Sequence, residues 1–354
     1  MFKRFIGDRA FYRRVLAIAV PIIVQNAITN FVSLLDNIMV EQAGSAQMSG
    51  VSTVNTLLFV FNLCIFGACS GAGIFTAQFF GSQDHEGVRH TFRFKLIANL
   101  LLSLIGIGIF ALGGERLIGL YLQGDGDPAH AAQILFYGKK YLAVMMIGFV
   151  PFALSGAYAS TLRESGQTTV PMVAGVIAVF VNLVLNYVLI FGHFGAPVMG
   201  VSGAALATVI SQAGSFVISL IYLYRRKESF GFDFKLKSFR IEAVALRPLV
   251  ALGIPMAIQS AAISLSKIVL MSWINLFGVV YSALAGVYNK INVVIGIVSN
   301  SFTAAGSTMV GQNLGAKQYE RVPKILKTVG FCTILISTIF ALGIVYFQYS
   351  VYQL

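Results

Sequence analysis

The sequence predicts an all-α, polytopic membrane protein, and three observations carry that prediction. Apolar runs of spanning length recur along the 354 residues, hydrophobic residues reach 57% against 11% charged, and the basic residues alternate between the two sides that such runs define. A soluble core this apolar, with mean hydropathy +0.81, would leave large apolar patches facing water. In a bilayer, about 20 apolar residues of helix cross the hydrocarbon and satisfy their own backbone hydrogen bonds.

The runs fall near 15–40, 51–80, 94–113, 136–160, 169–191, 200–224, 247–275, 282–311 and 327–349, a bundle of about nine transmembrane helices. The first follows Lys3, Arg4, Arg9, Arg13 and Arg14 as a signal peptide would. It is too long for a signal core and has no clear small-residue cleavage site, so it reads as a retained helix. Twenty of the 25 Lys and Arg gather on one side: the N-terminus, Arg89, Arg93 and Lys95, Arg163, the stretch 225–247, and Lys317, Arg321, Lys324 and Lys327. The other side holds Arg116, Lys139 and Lys140, while Lys267 and Lys290 fall within apolar runs. This bias makes the first side cytoplasmic, so the expectation is a multi-pass protein of the cell (inner) membrane with its N-terminus in the cytoplasm.

The same topology explains the net charge of +12, which is not laid out as the basic stripe with exposed aromatics that nucleic acid requires. Cys64, Cys69 and Cys332 sit in apolar runs as packing residues, and His85, His90, His130 and His193 show no metal-ligand spacing. There is no HExxH, nucleophile elbow or GxxxxGK[ST] loop. No enzyme activity, ATPase or resident cofactor is expected, and the implied partners are the lipid bilayer and a small organic substrate.

The chain also repeats. A shift of 234 places Ala17 on Ala251, Pro21 on Pro255, Gln25 on Gln259, Gly44 on Gly278, Gln78 on Gln312, Gly81 on Gly315 and Val88 on Val322. Six helices separate the copies, so both run the same way through the membrane, an arrangement that places a substrate site between two rocking bundles. The implied units are a six-helix lobe (1–224), a cytoplasmic basic linker (225–246) and an incomplete C-terminal lobe of three helices (247–354). A complete second copy would extend to roughly 460 residues and twelve helices, so the expectation is a fragment or truncated product, monomeric, with the second lobe about half present.

Pro21 followed by Leu35-Asp36-Asn37-Ile38-Met39-Val40, the segment NLVLNYVLIFGHFGAPVMGVSGAALAT at 182–208, and IPMAIQS at 254–260 together resemble the multidrug and toxic compound extrusion family, within the wider group of drug, oligosaccharide-lipid and polysaccharide exporters. The resemblance covers essentially the whole chain. It implies alternating-access antiport, with H⁺ or Na⁺ driving the export of amphipathic organic compounds. A lipid-linked oligosaccharide or polysaccharide flippase and a non-transporting fragment stay open as alternatives.

Asp36 is the acid read as lying well inside an apolar run. At bilayer depth it costs about 2.5–3.5 kcal/mol and so needs a partner, a cavity or a proton. Asn182 and Asn186, four apart on one helix face, and Thr208 are the amide and hydroxyl positions that the resemblance adds to a cation site around Asp36. Family members often carry an acid where Asn186 stands, and with one acid the site leans towards protons. Interhelical hydrogen bonding is the structural alternative. Pro21 and Pro255 each withhold a backbone bond; the resemblance implies that Pro21 bends with the bound cation, against the alternative of a static kink. Gln25, Gln78, Gln259 and Gln312, with Met39 and Lys267, are the candidate cavity residues, packing being the alternative for the glutamines. Lys267 either opposes Asp36 in the cavity or snorkels to an interface.

Overall fold

The computed structural model describes residues 9–122, 128–226 and 279–346, with scattered positions between 250 and 274. Among them the chain is helical with no strand: α1 (Arg9–Ala43), α2 (Ser45–Gly81), α3 (His85–Tyr121), α4 (Pro128–Glu164), α5 (Thr169–Phe191), α6 (Val201–Arg225), α7 (Val279–Gly315) and α8 (Val322–Tyr346). The described positions between 250 and 274 are also helical. Among the described residues, seven helices are long and apolar enough to cross a membrane. Beyond Arg225 and Arg226, the linker 225–246 lies outside the described residues, as does Lys267.

The helices outrun the apolar stretches that announce them. α2, α3 and α4 each have 37 residues, about 55 Å at 1.5 Å per residue, against about 30 Å of hydrocarbon. Hydropathy marks only the part that must face lipid, whereas backbone hydrogen bonding continues until a polar cap stops it. At α3 that cap is Asp84, whose Oδ1 accepts from Glu86 N (3.1 Å) and Gly87 N (2.9 Å). The run expected from residue 94 thus begins at His85. Lys95, counted in sequence as a loop charge, is a fully buried residue of α3.

Inside lipid, helices associate through close packing rather than through escape from water, so small residues mark the contacts. A Cβ on Gly50 of α2 would lie 2.9 Å from both Gly138 N and Ile134 O of α4. Around this approach the first-lobe core gathers Val54, Leu58, Phe61 and Ile65 of α2, Phe110 and Ile118 of α3, Leu142, Phe149 and Ala153 of α4, and Ala204 and Ala205 of α6. The Phe61 and Phe149 rings stack at 4.3 Å. The outer face of α3 (Leu101, Leu104, Ile105, Ile109, Leu112) is exposed and apolar, as a lipid-facing helix requires.

α1 is shared between the two groups of helices. Its early turns (Val15, Ile18, Ala19, Ile22) bury against Val298, Phe302, Ala305 and Met309 of α7 and Ile325 of α8. Further along, Asn26 Nδ2 donates to Ser301 Oγ at 3.1 Å, and the later turns reach α5 through Asp36. The turns α2–α3, α4–α5 and α7–α8 lie at the same end of the bundle as the start of α1. This is the end rich in Lys and Arg, called the basic end below.

Candidate functional site

Helical spacing of four sets Asn182 and Asn186 one above the other on α5, both buried, and the packing of α1 on α5 brings Asp36 against them. Asn186 Nδ2 donates to Asp36 Oδ1 at 2.7 Å and to Asn182 Oδ1 at 3.2 Å. Asn182 Nδ2 donates to Thr208 Oγ1 of α6 at 3.2 Å, and that hydroxyl donates to Ala204 O at 3.0 Å. The structure therefore joins Asp36, Asn182, Asn186 and Thr208 in one network across three helices.

Exchanging the near-isosteric ends of the Asn182 amide puts its nitrogen 3.0 Å from both Oδ1 and Oδ2 of Asp36 and its oxygen 3.2 Å from Thr208 N and Oγ1, the orientation that an ionised, acceptor-only carboxylate requires. Asn186 Oδ1 is buried with no hydrogen-bond partner, a neutral acceptor left over in the network. Among the described residues no three of His, Cys, Asp or Glu are grouped to hold a metal ion.

The other candidates lie elsewhere. Pro21 is half-buried inside α1. Met39 packs against the first-lobe core. Gln25 accepts from Arg163 Nη2 at 3.3 Å. Gln312 is buried and its Nε2 donates to Glu164 O at 2.7 Å, close to where Gln78 meets Gly315. Gln25, Gln78 and Gln312 are thus drawn to the basic end, where they join helices and turns. Pro255 and Gln259 are helical and exposed.

One charged group escaped the sequence reading. Lys95 Nζ forms an ion pair with Glu164 Oε2 inside the first lobe and contacts Ser160 Oγ at 3.1 Å; Ser160 Oγ donates to Glu164 Oε1 at 2.5 Å. Asp36 is therefore not the sole acid drawn into the bundle. The signal available in sequence was a basic residue eleven positions past the α3 cap and an acid at the end of α4; nothing linked them.

Two helix groups joined through α1, with internally repeated sequence and an intramembrane carboxyl network, define a polytopic membrane transporter. The sequence profile of the MatE family matches residues 21–188 and 255–354, and the chain belongs to that family, whose members are transporters and not enzymes. The probable multidrug resistance protein YoeA of Bacillus subtilis is 27% identical over 97% of this chain and 73% of its own length. The probable multidrug resistance protein NorM of Thermotoga maritima is 24% identical over 95% and 70%. Among solved structures, an outward-facing multidrug resistance MATE family transporter of the MOP superfamily superposes with TM-score 0.81 at 20% identity, covering 98% of this chain and 73% of that one.

Proposed function

We propose that this transporter exports amphipathic organic compounds by alternating access, driven by exchange of H⁺ or Na⁺ at Asp36. The observation that carries the reading is the Asp36 network: a carboxyl group on α1 drawn against Asn186 and Asn182 of α5, with Thr208 of α6 completing the cluster. The multidrug resistance names of relatives matched along nearly the whole chain support an organic substrate. The distribution of Lys and Arg supports an inner-membrane orientation with the basic end in the cytoplasm. A monomer is the working assembly.

In this scheme the ionised Asp36 holds both amide nitrogens and keeps the outer half of α1 against α5. Neutralisation by a proton, or shielding by Na⁺, weakens these charge-assisted bonds. With those bonds weakened, α1 gains freedom to bend at Pro21. Substrate and cation compete through that bend, so each expels the other.

The test is ethidium efflux from cells expressing this chain or its Asp36→Asn variant, at matched membrane levels. The variant keeps the size of the side chain and removes its exchangeable charge, and its efflux is expected to fall at least tenfold. Equal efflux from both would exclude Asp36 from the coupling. No efflux from the unaltered chain would reject the transport reading itself.

A further inference from the structure

Pro21 has no N–H, so the carbonyl of Ala17, four residues earlier, loses its helical partner within α1. A bare carbonyl within a membrane span is costly, because no bulk water serves it. Here a distant residue serves it: Thr168 Oγ1 donates to Ala17 O at 3.3 Å. Thr168 is 3% exposed and stands at the N-cap of α5, where a threonine hydroxyl ordinarily bonds the first free N–H groups of its own helix. It makes no such bond. The hydroxyl is committed to α1.

Thr168 closes a turn with two further links. Arg163 Nη2 donates to Gln25 Oε1 at 3.3 Å, so the turn holds α1 four residues before Pro21 and four residues after it. The carbonyl of Glu164 accepts from Gln312 Nε2 of α7 at 2.7 Å, and the Glu164 side chain is pinned by Lys95. The α4–α5 turn and the last turn of α4 therefore touch α1 on both sides of Pro21, and the turn also touches the neighbouring helix of the second repeat.

We propose that Thr168 is a positioning residue, supplying the hydrogen bond that Pro21 withholds from Ala17 and so fixing the course of α1 through Pro21 while the helix groups are joined at the basic end. The consequence for transport rests on the proposed function above, since a change of bend at Pro21 displaces Asp36 on the same helix. The bond itself can be tested without transport.

The experiment is a double-mutant cycle on the full chain in lipid nanodiscs, comparing Tm for the unaltered protein, Thr168→Val, Pro21→Ala and the double variant. Thr168→Val keeps the branched shape and removes the donor; it is expected to lower Tm by about 2–6 °C. In the Pro21→Ala background, where a backbone N–H again serves Ala17, the same change is expected to lower Tm by less than about 1 °C. Thr168→Ser should keep the original Tm. Equal losses in both backgrounds, or no loss in either, overturn the assignment.

A second measurement stands if Pro21→Ala does not fold. Spin labels at Glu86→Cys and Glu320→Cys, with the three native cysteines replaced, report separation at the basic end. Thr168→Val should at least double the population of the longer distance, and Thr168→Ser should leave the distribution unchanged. A distribution unmoved by Thr168→Val overturns the positioning role. Failure of the unaltered chain to export ethidium would reject the transport reading and leave both of these results intact.

Discussion

Gly81 and Gln312 approach so closely that a Cβ on Gly81 would fall on the Gln312 carbonyl, and reciprocally a Cβ on Gly315 would fall on the carbonyl of Gln78. These four residues are two repeat-related pairs, each separated by 234 positions, so the same contact is made twice around a pseudo-twofold axis between α2 and α7. Between them a Cβ on Gly311 would lie 2.7 Å from the Cβ of Ala77, and these two are also repeat mates. Backbone-to-backbone contact of this kind leaves no room for a side chain.

Gly81→Val should force α2 and α7 apart at the basic end. Ala77→Cys with Gly311→Cys, in a background lacking Cys64, Cys69 and Cys332, puts two Cβ atoms at 2.7 Å against the roughly 3.8 Å of a disulfide, so α2 and α7 must part by about 1 Å to admit the bond. Oxidative cross-linking is expected to be efficient with Gly81 present and to drop severalfold in Gly81→Val. Undiminished cross-linking would show that the contact tolerates a side chain.

Lys95→Met should destabilise the first lobe by about 3–5 kcal/mol, because it leaves the Glu164 carboxylate without its cation. Lys95→Met with Glu164→Gln should recover most of that loss, since neither buried charge remains. Thermal unfolding in nanodiscs distinguishes the two; a double variant as unstable as the single one would contradict the pairing argument.

Asn186→Asp replaces the donor 2.7 Å from Asp36 with a second acid. Two carboxylates that close repel unless a cation lies between them. The Tm of this variant is expected to rise on exchanging choline chloride for sodium chloride at equal ionic strength, by several degrees more than in the unaltered chain. A sodium response equal to that of the unaltered chain would argue against a cation site at this position.

Gly50→Val and Gly138→Ala offer a graded check on α2–α4 packing. At Gly50 the new Cβ meets backbone atoms at 2.9 Å, whereas at Gly138 its nearest neighbours are side-chain methyls at 3.5 Å. The first should cost about 1–3 kcal/mol and the second far less, read as unfolding in the same nanodisc assay.

Much of the fold was legible because the solvent is a bilayer. Long apolar stretches have to become helices there, and eight of the expected spans coincide with continuous helices. Helix ends were less visible, since polar termini such as His85–Arg93 remain hydrogen-bonded without contributing hydropathy. The grouping of Asp36 with Asn182, Asn186 and Thr208 was anticipated because the spacing on α5 and the family resemblance agreed. Lys95 with Glu164 and Thr168 with Ala17 were not. Their partners are 69 and 151 residues apart, and neither helical periodicity nor charge counting connects positions so distant on different helices.

The burial of Val15, Ile18 and Ile22 against Phe302 and Met309 has a consequence for biogenesis. At about 5–20 residues per second, a ribosome needs roughly a quarter of a minute to a minute to travel from the codon for Val15 to that for Phe302. Throughout that interval the face of the leading segment that carries Val15, Ile18 and Ile22 lacks its partner surface on α7. Lipid or an insertion chaperone must shield it, so assembly of the early helices is completed only after most of the polypeptide has been made.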